Sequence, residues 1–355
     1  GIANWYASTY FDGHDYCPVL VKTREGRPIK IEGNKLSKIS HGGTSARVQA
    51  SVLSLYDSAR LKGPMAKGSE VSWNDVDSSI GSKLGEISKA GGKIRILSST
   101  IISPSTKSVI SGFKAKYPNT KQVVYDAVSY NAIAKANDGV IPSYNFDKAN
   151  VIVSFAADFL VNWLSPVEHS GQYAQGRKLN NGKKTLSKHV QFETILSLTG
   201  SNADLRVPVK PSQIGTAVLN LYNALGGESL SVSGKVAEQA IADTAKWLLA
   251  NKGKSLVVCG INDPAIQTVV AAINKLLGNY GSTIDTASHS NLHQGNDAQF
   301  AALMNDMKEG KVDALIVYNS NPAYTAPGFA DAMKKVGLKL SLIHISEPTR
   351  LRRIS

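Results

Sequence analysis

An α/β fold with parallel sheets is what this sequence predicts, and three observations carry the prediction. Short β-branched runs alternate along the chain with longer segments whose apolar residues recur at helical spacing. The helical segments open on Ser, Asp or Ser-Pro and Asp-Pro signals and close near glycine. The run Asn150-Val-Ile-Val-Ser-Phe155 lacks polar alternation, as a strand covered on both faces would. Strands alternating with helices imply parallel crossover units, here in two Rossmann-like halves. A length of 355 residues, 42% of them hydrophobic, suffices for two such domains.

The elements follow in order. Val19-Leu-Val21 and Ile29-Lys-Ile31 flank a Glu-Gly turn and predict a hairpin. Gly42-Gly43 turns the chain, and Ser45 opens a helix that places Ala50, Leu53 and Tyr56 at helical spacing. Ser72 or Asn74 caps a helix through Leu84 and Ile87, which Gly91-Gly92 ends before the strand Lys93–Leu97. Ser103-Pro104 starts a helix carrying Val109, Ile110 and Phe113, followed by the strand Gln122–Tyr125. Further strands are expected at Asn150–Phe155, His189–Glu193, Leu205–Val209, Lys254–Cys259 and Ala314–Tyr318. Helices are expected from Ser212 to Leu225, Val236 to Leu249, after Asp263-Pro264, and from Phe300 to Met307.

In such sheets a ligand sits beyond the carboxyl ends of the strands. The loops there are Ser98–Thr100, Ser154–Asp158, Gly260–Asp263 and Asn319–Pro322. None is a GxGxxG or a P-loop, although the amides of Asn319–Pro322 could meet a phosphate. His289 and His293 stand four apart without the glutamate of a zincin and read as solvated loop or helix-cap residues. Asp12, His14, Asp15 and Cys17 could gather a metal, but an exposed polar segment accounts for them more simply. Two cysteines cannot make a cluster or zinc set alone. No run approaches the roughly 18 apolar residues a membrane helix needs.

The net charge of +13 points to an anionic partner or surface. Its one concentration is Arg177, Lys178, Lys183, Lys184 and Lys188, with no acid between them. A solvated loop explains it; the sharper alternative is a docking patch for an acidic protein or anionic lipid head groups. Nucleic acid is disfavoured because no aromatic platform accompanies the bases. From Leu340 onward the chain resembles one reading frame of a transposon-type sequencing adapter. Residues 341–355 are therefore set aside as a non-native tail, and the chain is expected to be a piece truncated at both ends.

Cys17 to Asp57 resembles the N-terminal region of the molybdopterin oxidoreductase superfamily. The likeness rests on Cys17-Pro-Val-Leu-Val21, Glu25-Gly-Arg27, Ile29-Lys-Ile-Glu-Gly-Asn34 and the Gly42–Arg47 segment. Leu55–Pro64, Trp73–Asp75, Ala149–Val153 and Asn319–Pro322 extend it over nearly the whole chain. The fold it implies has Rossmann-like lobes of the formate dehydrogenase/DMSO reductase type with a small N-terminal β-rich unit. On that basis residues 1–70 form the β-rich former iron–sulfur cradle, 71–145 the first part of one lobe, 146–250 the second lobe, and 251–340 the return to the first.

The departures from the pattern matter more. In the superfamily a four-iron cluster needs four thiolates. Here Cys17 holds one ligand position, Ser45 stands at another, and residues 1–16 contain no cysteine. Where ligand-binding relatives have a Gly-x-Asn-Pro-type turn, this chain has Ser154-Phe-Ala-Ala-Asp158, placing the ring of Phe155 and the Asp158 carboxylate where a pyrophosphate would lie. Ser154, Phe155, Asp158, Asn319 and Asn321 thus read as degenerate pterin-loop positions. Asp126 and Asp138 remain conceivable oxygen ligands. The branch that shares these features is the B-subunit family of bacterial alternative complex III, to which Tyr6–Tyr16, Thr23–Asn34, Leu196–Asp204 and Leu276–Gly281 are most similar. That resemblance implies a cofactor-free scaffold domain of an iron–sulfur subunit in a quinol-oxidising complex. Its clusters would lie in a missing C-terminal domain, and its partners would be cytochrome c and quinol-binding membrane subunits. It also implies a periplasmic, peripheral location after twin-arginine export. The alternative is a genuine molybdopterin oxidoreductase with an unusual site.

Overall fold

A computed structural model describes residues 1–179 and 182–342. The chain begins with three antiparallel strands, β1 (Asn4–Phe11), β2 (Tyr16–Arg24) and β3 (Arg27–Gly33), then a short helix α1 (Ala46–Ala50). A hairpin, β4 (Met65–Ala66) and β5 (Ser69–Glu70), precedes α2 (Trp73–Lys89), β6 (Ile94–Ser98), α3 (Pro104–Lys116) and β7 (Thr120–Val124). Next come α4 (Asn131–Ala136), β8 (Ile141–Tyr144), β9 (Val151–Phe155), α5 (Pro166–Gly176), β10 (Lys188–Glu193), α6 (Leu198–Ser201) and β11 (Leu205–Pro208). Helices α7 (Ile214–Ala224) and α8 (Glu238–Leu249) lead to β12 (Ser255–Cys259), α9 (Pro264–Leu276) and β13 (Ile284–Ser290). The last elements are α10 (Asp297–Lys308), β14 (Ala314–Tyr318), α11 (Pro322–Thr325), α12 (Phe329–Met333) and β15 (Leu338–Leu342).

Two compact units result, each discontinuous in sequence. Unit 1 comprises Gly1–Ser54 and Tyr130–Asn291; unit 2 comprises Leu55–Ser129 and the chain from Leu292. Unit 1 holds a parallel sheet ordered β11-β10-β9-β12, and unit 2 one ordered β15-β14-β6-β7. In each, the strand order reverses once, between β9 and β12 and between β6 and β14, which is the doubly wound pattern. The capping signals act as the sequence predicts: Ser72, Ser103 and Asp263 each accept a first-turn amide with their side chains.

All five residues of β9 are buried because both faces of the sheet are covered. Val151, Val153 and Phe155 enter a core with Phe192, Leu221, Leu248 and Ile273, while Ile152 points to the opposite core with Phe146, Phe159 and Leu256. Unit 2 repeats the plan, with Leu97, Leu315 and Phe329 on one face and Ile94, Ile96 and Leu84 on the other.

Several expectations are corrected. β12 hydrogen-bonds beside β9 in register Val257↔Val153, so the chain returns to the other lobe at Leu292, not at 251. Residues 1–54 belong to unit 1, so the N-terminal β-rich unit does not extend to 70. After five residues α1 tightens into a 3-10 turn, and Leu53 and Tyr56 are exposed, so they are not a buried helical stripe. Val109 is likewise exposed on α3. Ser341 and Leu342, set aside with the tail, end β15 and pair with Val317 and Tyr318 of β14, which leaves their origin open because a ladder needs only backbone amides and carbonyls. The remainder, 343–355, lies outside the described residues.

Candidate functional site

The cradle expected for an iron–sulfur cluster is filled by a different device. The Cys17 side chain is fully buried on β2, its thiol donating to the Gly43 carbonyl at 3.0 Å. Burial, with a smaller contribution from the Asp15 carboxylate, pushes its pKa up, which disfavours the thiolate that ligation requires. Ser45 is the N-cap of α1: its hydroxyl accepts from the Val48 amide at 3.2 Å and donates to Asp15 Oδ2 at 2.6 Å. Arg47, in the first turn of the same helix, grips Asp15 with two bonds, Nε to Oδ2 at 2.9 Å and Nη2 to Oδ1 at 3.1 Å. Arg47 also donates to the Val161 carbonyl.

Asp15 has no solvent exposure, so this ion pair and hydroxyl are its compensation. The Gly42-Gly43 turn packs close against the end of β3: a Cβ on Gly33 would meet the Gly42 carbonyl oxygen at 2.1 Å. Cys17, Val19, Ile31, Val48 and Val167 close the rest with apolar contact. These residues do not fit a four-iron cluster. One raised-pKa thiol faces a carbonyl, and the position that should supply a second thiolate is spent on a carboxylate and a helix cap. Among the described residues, no three His, Cys, Asp or Glu side chains converge as a metal set would. Asp12 instead fixes the β1–β2 turn by accepting the amides of His14 and Asp15.

At the switch point of unit 1 the two loops close on each other. Gly260 donates its amide to the Phe155 carbonyl at 2.9 Å, and a Cβ on Gly260 would meet the Ala156 carbonyl oxygen at 2.2 Å. Ser154 turns inward to bond the carbonyl and amide of Ala157. Phe155 is buried and stacked on Phe192 at 4.8 Å between centroids, so its ring belongs to the core and does not stand where a phosphate would lie. Asp158 is engaged by the hydroxyl of Thr199 at 2.5 Å. Contrary to the expectation from sequence, the Phe155 ring does not obstruct a phosphate here; backbone contact at Gly260 narrows this crevice.

The switch point of unit 2 is bridged rather than shut. Asn319, at φ 51°, donates from Nδ2 to Ser99 Oγ at 3.2 Å. Asp126, considered as an oxygen ligand, is instead saturated: it accepts from the amide and hydroxyl of Thr100 and from the Gly295 amide. Asp138 is an exposed turn residue at φ 54°. Asn321 stands apart, with Oδ1 buried and without a hydrogen-bond partner among the described residues. A shallow concavity of about 570 Å³ lined by Glu86, Gly92, Lys93, Lys311 and Asp313 lies at the amino ends of β6 and β14, the edge opposite a doubly wound ligand site.

The basic loop is less available than its sequence suggests. Arg177 forms a bidentate pair with Asp204 at 2.9 Å and caps the Ser187 carbonyl. Lys183 donates to the Gly176 carbonyl at the end of α5, and Lys188 lies over the Trp247 ring at 4.1 Å. Lys178 and Lys184 remain exposed. His289 is exposed as expected, but His293 is buried.

One feature escapes sequence reasoning. His189, Gln191 and Glu193, alternate residues of β10, form a buried polar row linked at 3.0 and 3.3 Å. Burial drives the His189 pKa down to about 4, and Arg206 and Ser197 close the Glu193 end at 2.6 Å each. The alternation at 189, 191 and 193 is visible in the sequence, but nothing local marks these polar residues as buried.

No family model matches this chain. It is 25% identical over 394 aligned positions to the menaquinone reductase, molybdopterin-binding-like subunit of Nitratidesulfovibrio vulgaris, strain Hildenborough. That match covers 95% of this chain and 56% of the relative, so the chain spans little more than half the relative's length. Among solved structures, a chain of the formyltransferase/hydrolase complex from Methylorubrum extorquens, determined with methylofuran, superposes with a TM-score of 0.51 at 12% identity. It covers 78% of this chain and 86% of that one and shows a shared α/β fold alone. The resemblance read from the motifs is thus supported, at the level of family, by likeness to a molybdopterin-binding-like subunit of a quinone-linked enzyme.

Proposed function

We propose that this chain is the molybdopterin-oxidoreductase-like part of an iron–sulfur subunit in a quinol-oxidising respiratory complex of the alternative complex III type, and that it serves as a scaffold holding neither pterin nor cluster. The observation that carries the reading is the buried Asp15 gripped by Ser45 and Arg47 where cluster ligands would stand. The menaquinone-reductase relative supports membrane-bound respiratory partners, and its additional length leaves room for a cluster-bearing domain. On this reading the subunit is peripheral on the periplasmic side, exported by a twin-arginine signal. It positions cytochrome and quinol-binding subunits, and electrons pass through clusters elsewhere in the complex.

A second reading, a genuine molybdopterin oxidoreductase, is favoured by one observation, the Oδ1 of Asn321 beyond β14, which has no hydrogen-bond partner among the described residues. The two part on a turnover assay of the complete complex carrying Ser99→Ala with Asn321→Asp. A scaffold keeps quinol oxidation within twofold of wild type. A loss beyond a hundredfold, with the complex intact, would favour the cofactor reading.

A further inference from the structure

We propose that the amino edge of the parallel sheet in unit 1 seats the protein on an anionic lipid surface. Because β9, β10 and β12 are parallel, the segments leading into them emerge along one edge, opposite the carboxyl-edge loops described above. Lys148 leads into β9; Lys178, Lys183 and Lys184 lead into β10; Lys252 and Lys254 lead into β12. All six are exposed, Lys183 while its ammonium group bonds the Gly176 carbonyl. The acids in the segments leading into the four strands are Asp147 and Asp204, and Asp204 is already paired with Arg177.

Backbone bonds hold these segments side by side. The Asn150 amide donates to the Lys254 carbonyl at 2.7 Å, and the Lys188 amide to the Asn150 carbonyl at 2.8 Å. The β10 segment is pinned at its base, Arg177 bonding the Ser187 carbonyl at 2.6 Å and the Ser187 amide the Gly176 carbonyl at 3.0 Å.

Apolar side chains share the edge and decide the partner. Leu179 is 64% exposed, Leu186 47% and Leu249, at the end of α8, 40%. An acidic peptide would satisfy the lysines but leave these leucines in water. A lipid interface accepts both, the ammonium groups among phosphates and the leucines at the acyl boundary. The surface lies on the edge of the sheet opposite the switch point of unit 1, so nothing at that switch point is needed for it.

The test uses the complete protein with vesicles of phosphatidylcholine alone or mixed with phosphatidylglycerol. Co-sedimentation is expected only with the anionic vesicles, and loss of it at high salt. Lys178→Gln, Lys184→Gln and Lys252→Gln together should lower partitioning on the order of a hundredfold, from roughly fivefold per lysine. Leu179→Ser with Leu186→Ser should weaken vesicle binding while leaving retention on immobilised polyglutamate unchanged. Circular dichroism on each variant confirms the fold. Equal binding to neutral vesicles, or lysine variants that bind as wild type, would overturn the proposal. Leucine variants that keep full vesicle binding would overturn it in favour of an acidic protein partner.

Discussion

Asp15 is a carboxylate without solvent contact, held by one hydroxyl and one guanidinium. Removing one partner of such a group costs more than the pair contributes, because the remaining charge stays buried. Arg47→Met should lower unfolding free energy by about 2–3 kcal/mol, reduced from the fully buried case because the arginine side chain is 42% exposed. Chemical denaturation would measure it, and a change below about 0.5 kcal/mol, the level of an exposed pair, would contradict the role given to Asp15. Cys17 and Ser45 were legible in the sequence because a resemblance marks their positions. The Asp15–Arg47 pair was not, since 32 residues separate the partners and no local periodicity joins β2 to α1. Arg177 shows the converse: a basic run looked uncompensated until the fold brought Asp204 to it.

Elements with local signals were the readable ones. Ser72, Ser103-Pro104 and Asp263-Pro264 announced α2, α3 and α9, and their side chains cap as expected. β1 was missed because its residues are mostly exposed and mixed in polarity, so its pairing with β2 carries it rather than an apolar pattern. β8 and β13 pair across more than a hundred residues with a bulge, which no short-range rule detects. The close approach at Gly260 is testable at this scale. Gly260→Ala puts a Cβ 2.2 Å from a backbone oxygen that has no rotamer to yield, so a loss of about 2 kcal/mol is expected. Gly112→Ala, inside α3 with open space around it, should instead raise stability by about 0.5–1 kcal/mol. Thermal unfolding of both variants checks the pair, and equal effects would show that the loops are not packed as described.

For the whole molecule, strand–helix alternation predicted parallel α/β lobes, and both sheets are doubly wound with one switch point each. The order of the lobes along the chain was misjudged because β12 carries no mark of which sheet it joins; only its register with β9 assigns it. Two switch points would ordinarily mean two nucleotide-binding crevices. Here one is closed by backbone contact and the other bridged by Asn319 and Ser99, while the cradle of β2 and α1 holds an ion pair. At each of these places the chain's own groups bond one another. The central claim, that this part of the protein is a scaffold, is tested most directly by the cofactor content of the complete protein purified from its native complex. Molybdenum by mass spectrometry and pterin by fluorescence of the oxidised extract should both fall far below one per chain, whereas stoichiometric molybdenum with pterin would contradict the account.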